Sequence, residues 1–183
     1  MFDVQTPTGT IAQAASVFLY EKQKNEDGSY QYKELWTGLT NTDGVVRVPS
    51  HIGTDLKDLQ VVVQGTFDAD NGNSWFMYSR EVNDIGTVTL ASDNTVPVQL
   101  QTTNKEGKAL TNAQYFISLK DEKGVTLTAT RSINEENATV APTVYLDKGA
   151  YNMYAHVKDA EDTYFLTQSN TTITDATTSL KFD

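Results

Sequence analysis

"LQVVVQGTFDADNGNSWFMYSREV", residues 59–82, decides how the chain is read. Two runs rich in Val, Phe, Tyr and Trp flank "DADNGN" (68–73). Branched and aromatic side chains suit a pleated, packed surface, and Asn-Gly supplies the positive φ of a tight turn. The stretch therefore predicts a β-hairpin. It also raises a metal question, because Asp68, Asp70, Asn71 and Asn73 are oxygen donors in close succession. A helix–loop–helix calcium loop needs oxygens at positions 1, 3 and 5, Gly at 6 and Glu at 12. Counted from Asp68, Gly72 falls at position 5 and Ser79 at 12, so the register is off by one and the bidentate Glu is missing. Two carboxylates about 7 Å apart on an exposed loop repel by roughly 0.6 kcal/mol in water, which demands no cation. A hairpin explains every residue. The four donors stand as the calcium candidates, and no other cofactor is expected.

The same grammar runs along the chain. Short apolar runs recur at 16–20, 33–38, 45–49, 59–65, 74–82, 86–90, 96–102, 114–120, 125–131, 143–146, 151–157, 163–169, 171–174 and 179–182. Between many of them sit turn signals: "NEDGS", "NTDG", "NKEG", "DEKG" and "DKGA". Many short strands at close spacing predict an all-β sandwich or barrel. One segment, "SHIGTDLKDL" (50–59), reads as a single helical turn or a loop, with Thr54 as a cap.

Composition narrows the class. With 38% hydrophobic and 21% charged residues, the chain is too apolar for a disordered tail and too polar for a membrane protein. No apolar run approaches the roughly 20 residues that span a bilayer. "FDVQTPTGT" after Met1 has neither a basic start nor an apolar h-region, so no signal peptide is read. The net charge of −10 opposes binding to nucleic acid and to anionic membranes. Without cysteine there are no disulfides, thiolate catalysis or Cys-based zinc sites.

The chain also repeats itself. "QVVVQGTFDAD" aligns with "NMYAHVKDAED", "SWFMYSREV" with "TYFLTQSNTTI", "GTVTLASD" with "TTSLKFD", and "AASVFLYEK" with "TNAQYFISLKDEK". The reading is two β-sandwich domains, 1–93 and 94–183, joined at the polar "ASDNTVP" (91–97). The first half carries 6 basic and 13 acidic residues and the second 8 and 11, so acidity concentrates in the first.

At "KELWTGLTNTDGVVRVPS…LQVVVQG" the chain resembles the carboxypeptidase regulatory-like domains and their relatives, the Cna B-type and transthyretin-like (prealbumin-like) modules. Thr40-Asn41-Thr42-Asp43-Gly44 and Val45–Val48 fit the family's Thr-x-x-x-Gly and following strand. "LDKGAYNMYAHV", with Gly149 and Tyr151, fits its Gly-x-Tyr-x-Val end. "NKEGKALTNAQYFISL" resembles its opening element without the expected Gly. The resemblance implies two tandem Greek-key sandwiches of the prealbumin or immunoglobulin-like type, used as non-catalytic appendages of secreted and surface proteins. Some Cna B relatives carry a Lys–Asn isopeptide bond between first and last strands. With "ASVFLYEK" or "VPVQLQT" as first strands and "GTVTLAS" and "SLKFD" as last, the Lys and the Asn are not in place, and no such bond is expected.

Catalytic signals are sparse. His51 lies in a polar loop, and strand alternation puts His156 with Tyr154 and Lys158 on a solvent face opposite Met153, Ala155 and Val157. Neither histidine has a zinc-spaced partner in sequence. No nucleophile elbow or phosphate loop occurs. No enzyme is expected. Tyr30, Tyr32 and Tyr78 are the candidate ligand surface, since exposed rings can stack on sugars. Trp36 and Trp75 default to the core. Asn137 and Asn170 match glycosylation sequons, which arise easily in a Thr-rich chain.

The expectation is a binding, spacer or structural module of a secreted or cell-surface protein, with a protein or glycan partner at a cell or virion surface. Two alternatives stand beside it: a virion or extracellular fibre subunit that self-associates through sheet edges, and a carbohydrate-binding module. Neither nucleic-acid binding nor membrane insertion is expected.

Overall fold

A computed structural model describes residues 1–52, 58–70, 72–83, 86–103, 106–107, 113–127, 131–134, 142–159 and 162–182. Among these residues are fourteen strands and one 3-10 turn at Ser50–Ile52. The chain is all-β and divides into two compact units. Unit 1 holds Met1–Thr95 together with Tyr145–Asp147; unit 2 holds Val96–Val144 and Lys148–Asp183.

Unit 1 contains β1 (Phe2–Val4), β2 (Ser16–Lys24), β3 (Tyr30–Leu39), β4 (Val45–Val46), β5 (Leu59–Ala69), β6 (Gly72–Val82) and β7 (Val88–Leu90). β3, β2, β5 and β6 lie side by side in that order, and a second sheet runs β4-β1-β7. The core lies between them. Val17, Leu19, Val61, Val63, Phe76 and Tyr78 from the larger sheet meet Phe2, Val4, Val46 and Leu90 from the smaller. This is a sandwich, and burial of such side chains at about 25 cal/mol per Å² of apolar surface drives it.

Unit 2 contains β8 (Thr95–Thr102), β9 (Ala113–Leu119), β10 (Arg131–Asn134), β11 (Thr143–Asp147), β12 (Gly149–Asp159), β13 (Asp162–Ile173) and β14 (Ser179–Phe182), with the ends of β8 and β11 falling to unit 1. β10-β9-β12-β13 form one sheet, and β11, β8 and β14 lie side by side in that order. The order is that of unit 1, strand for strand. The runs paired by the internal repeat occupy the same places: β2 and β9, β5 and β12, β6 and β13, β7 and β14.

One turn chemistry recurs. At Thr6, Asn25, Asn41 and Asp121, the residue's carbonyl accepts from the N–H of a Gly three positions on, at 2.9, 3.1, 3.0 and 3.0 Å. Its own N–H donates to the carbonyl four positions on. The glycines, Gly9, Gly28, Gly44 and Gly124, have φ of 82, 85, 75 and 80°, the left-handed region where a Cβ is penalised. Asn41 and Asp121 brace the loop further, each Oδ1 accepting two backbone N–H groups at 2.9 Å.

Several sequence expectations are corrected. The first strand of unit 1 is β1, Phe2–Val4, upstream of "ASVFLYEK". The 163–169 and 171–174 runs form one strand, β13, whose register against β12 shifts between Tyr151 and Met153. The 45–49 run shortens to β4. The 125–131 run contributes a bridge at Thr126 and the start of β10. The helical turn spans Ser50–Ile52, while Thr54 lies outside the described residues.

Candidate functional site: the seam between first and last strands

β1 and β7 are parallel neighbours in the register Phe2↔Val88, Asp3↔Thr89, Val4↔Leu90. Val88 N–H donates to Met1 O at 3.0 Å, and Gln5 N–H donates to Leu90 O at 2.8 Å. The N-terminal ammonium reaches Gly86 O at 3.1 Å. On its other side β1 pairs antiparallel with β4, and Val4 N–H donates to Gly44 O at 2.8 Å. The first strand is thus the central strand of its sheet. In unit 2 β8 is held likewise, with β14 parallel to it in the register Ser179↔Gln99 to Phe182↔Thr102, and Gln99 N–H donates to Thr178 O at 3.0 Å.

Tyr78 bolts the seam of unit 1. It rises from β6 with its ring fully buried, and its hydroxyl lies 2.8 Å from Gln5 O and 3.0 Å from Leu90 O, next to the ends of β1 and β7. Burial, its largest influence, pushes the phenol well above its ordinary value, because ionisation would place a charge in the core. Tyr78 is therefore not a ligand surface. Phe76, Met77 and Tyr78 are consecutive and all buried, so the strand is covered on both sides.

A second polar node in unit 1 surrounds Asp147. Its carboxylate, nearly buried, accepts from Ser79 N–H at 3.0 Å, Arg80 Nη1 at 3.2 Å and Ser92 Oγ at 2.7 Å. Such multiple donation offsets the desolvation of the charge.

Tyr30 and Tyr32 do come together. Their rings meet edge to face at 5.9 Å, and Lys22 Nζ sits 4.1 Å from the Tyr30 centroid. Lys22 faces Tyr32 and Lys24 faces Tyr30 across the β2–β3 ribbon. Both tyrosines are half-buried. Trp36 and Trp75, which the sequence sends to the core, are also half-buried; Trp36 packs against the core cluster.

The hairpin at 59–82 forms, with Phe67↔Ser74, Asp68↔Asn73 and Ala69↔Gly72 in register. Asp68, Asp70 and Asn73 are exposed, and Asn71 lies outside the described residues. Among the described residues no group of three or more His, Asp or Glu side chains is placed to hold a metal ion. His51 is exposed. His156 is half-buried on β12, opposite Gln114 and two residues from Tyr154, whose ring stacks on Phe116 at 4.6 Å. Asn137 lies outside the described residues, and Asn170 falls within β13. No helix among the described residues is long and apolar enough to cross a membrane.

Sequence reasoning missed β1 and with it the seam. The signal was present in "TPTG" (6–9), which carries the same Gly spacing as the turns that were recognised.

Comparison with known proteins adds likeness without assignment. No family model matches the chain, and no curated protein matches it. Among solved structures it is similar to a Streptococcal ancillary pilin, at 12% identity and TM-score 0.29, over 99% of this chain and 60% of that one. It is similar to the shaft pilin SpaA of Lactobacillus rhamnosus GG, at 13% identity and TM-score 0.23, over 93% and 87%. It is also similar to a putative cell adhesion protein of Bacteroides ovatus, at 13% identity and TM-score 0.28, over 93% and 86%. The chain thus spans less than two thirds of the first of these. These scores are too low to assign it to any of them.

Proposed function

We propose that the chain is a non-catalytic spacer module of a secreted or cell-surface protein. One observation carries this reading: in both units the first and last strands are parallel neighbours. The chain enters each unit at one end of the seam and leaves at the other, so a unit adds the length of its seam to the path of the chain. An antiparallel first–last pair would return the chain to its starting end and add almost nothing.

An exchange experiment tests it. In the cell that makes this chain, its coding segment is replaced by one for two unrelated, ligand-free sandwiches that also pass the chain from end to end. Surface display, scored by protease release from intact cells, and adhesion should both survive. Loss of adhesion with display intact would show that this chain's own surface is needed, and absence from the surface would defeat the reading altogether.

A second reading, glycan binding, is favoured by the Lys22–Tyr30–Tyr32 cluster, which offers ring edges and a cation on one face of a ribbon. Retention on a glycan array that is lost in Tyr30→Ala with Tyr32→Ala would support it, and no retention would remove it.

A further inference from the structure

We infer that each unit is built to carry tension along the chain, through backbone hydrogen bonds loaded in shear between its first and last strands. Adjacent parallel strands pulled from opposite ends slide past one another, and every bond between them must yield at nearly the same moment. The same strands pulled apart at one shared end open one bond at a time.

The arrangement in unit 1 favours the first case. Tension arriving at Phe2 and leaving beyond Leu90 acts along β1 and β7, across the bonds from Val88 N–H to Met1 O and from Gln5 N–H to Leu90 O. β1 cannot slide without also shearing its ladder to β4, including Val4 N–H to Gly44 O. The Tyr78 hydroxyl sits between the carbonyls of Gln5 and Leu90, in contact with both sides of the seam. Unit 2 repeats the plan over four register pairs of β8 and β14. The first strand of unit 1, Phe-Asp-Val, has no lysine, so this seam is held without a lysine cross-link from that strand. The property belongs to each unit taken alone, so failure of the exchange experiment on cells would leave it standing.

Single-molecule pulling on the full chain tests it, and the absence of native cysteine makes the tethering clean. One tether is fixed at Met1. The second is placed through Asp93→Cys, just beyond β7, to load the seam in shear, or through Thr87→Cys, just before β7, to peel it. Both sites are exposed. At matched force the sheared unit should unfold more slowly by about tenfold or more, since two or more bonds each worth about a factor of five in rate yield together. Val88→Pro, which removes the donor to Met1 O, should raise the sheared unfolding rate by about fivefold, equivalent to ~1 kcal/mol. Equal rates in the two geometries would overturn the inference, even if the proline variant fails to fold.

Discussion

At the scale of the residue, Tyr78 shows how far a local pattern can mislead. Its neighbours suggest a strand with one wet face, but its phenol crosses the core to two carbonyls of the seam. Tyr78→Phe keeps the ring packing and deletes the bond. It should lower stability by about 1 kcal/mol at neutral pH, measured by urea unfolding. The phenol's folded-state value is raised, so its stabilising effect is complete below the ordinary tyrosine value of 10.0 and is lost as pH rises above it. Native protein should lose about 1.4 kcal/mol per pH unit in that range from this group, and the phenylalanine variant should lack that part of the slope. The exposed carboxylates of the 68–73 turn lead to the opposite expectation. Calcium needs six or more oxygen ligands, and a two-carboxylate turn falls short. The melting temperature should be the same in chelator and in millimolar calcium, and a rise would restore the metal reading. Turn residues were the most legible of all, because Asn, Asp and Gly act through their own backbones and need no distant partner.

At the scale of the element, legibility followed the number of faces a strand buries. β9 alternates buried and half-buried residues from Ala113 to Leu119, as "AQYFISL" suggests. In β2 and β5 the runs "VFLY" and "VVV" are buried without alternation, the mark of a strand covered on both faces. The unbroken run "WFMY" (75–78) in β6 carries the same mark, and it places Tyr78 indoors. β1 was not legible from its own three residues, since its place depends on β4 and β7, both distant in sequence. Gly65 illustrates how tightly the elements fit. It pairs with Phe76, and an added Cβ would lie 3.1 Å from that ring and 3.2 Å from the Ala15 methyl. Gly65→Ala should cost about 1–3 kcal/mol in denaturant unfolding. β3 shows a different constraint. Among the described residues its one strand neighbour is β2. Leu35 is the extra residue of a bulge, which lets Leu35 and Trp36 both reach the core, while Lys33 and Glu34 stay exposed. Bulges and charges blunt an edge against pairing with another chain. Lys33→Val with Glu34→Thr should convert a monodisperse solution into concentration-dependent assemblies, visible by light scattering. An unchanged profile would show that the edge is guarded by something else.

At the scale of the whole molecule, the all-β class was legible because turn spacing is a property of the entire chain. The assignment of Tyr145–Asp147 to unit 1 was not, because it rests on contacts such as Arg80 with Asp147 and Phe67 with Tyr145, between residues far apart in sequence. The net charge of −10 sets a further expectation. Like charges repel over the Debye length, which shrinks from about 30 Å at 0.01 M to about 8 Å at 0.15 M ionic strength. The melting temperature should rise across that interval, and a fall would mean that specific ion pairs outweigh the general repulsion. The parallel seam, finally, bears on how such a chain could grow. Because the first and last strands of each unit run in one direction, the chain leaves a unit at the end opposite its entry, so a tandem copy of the coding segment would lengthen the path and not fold it back. Length would then change in whole steps.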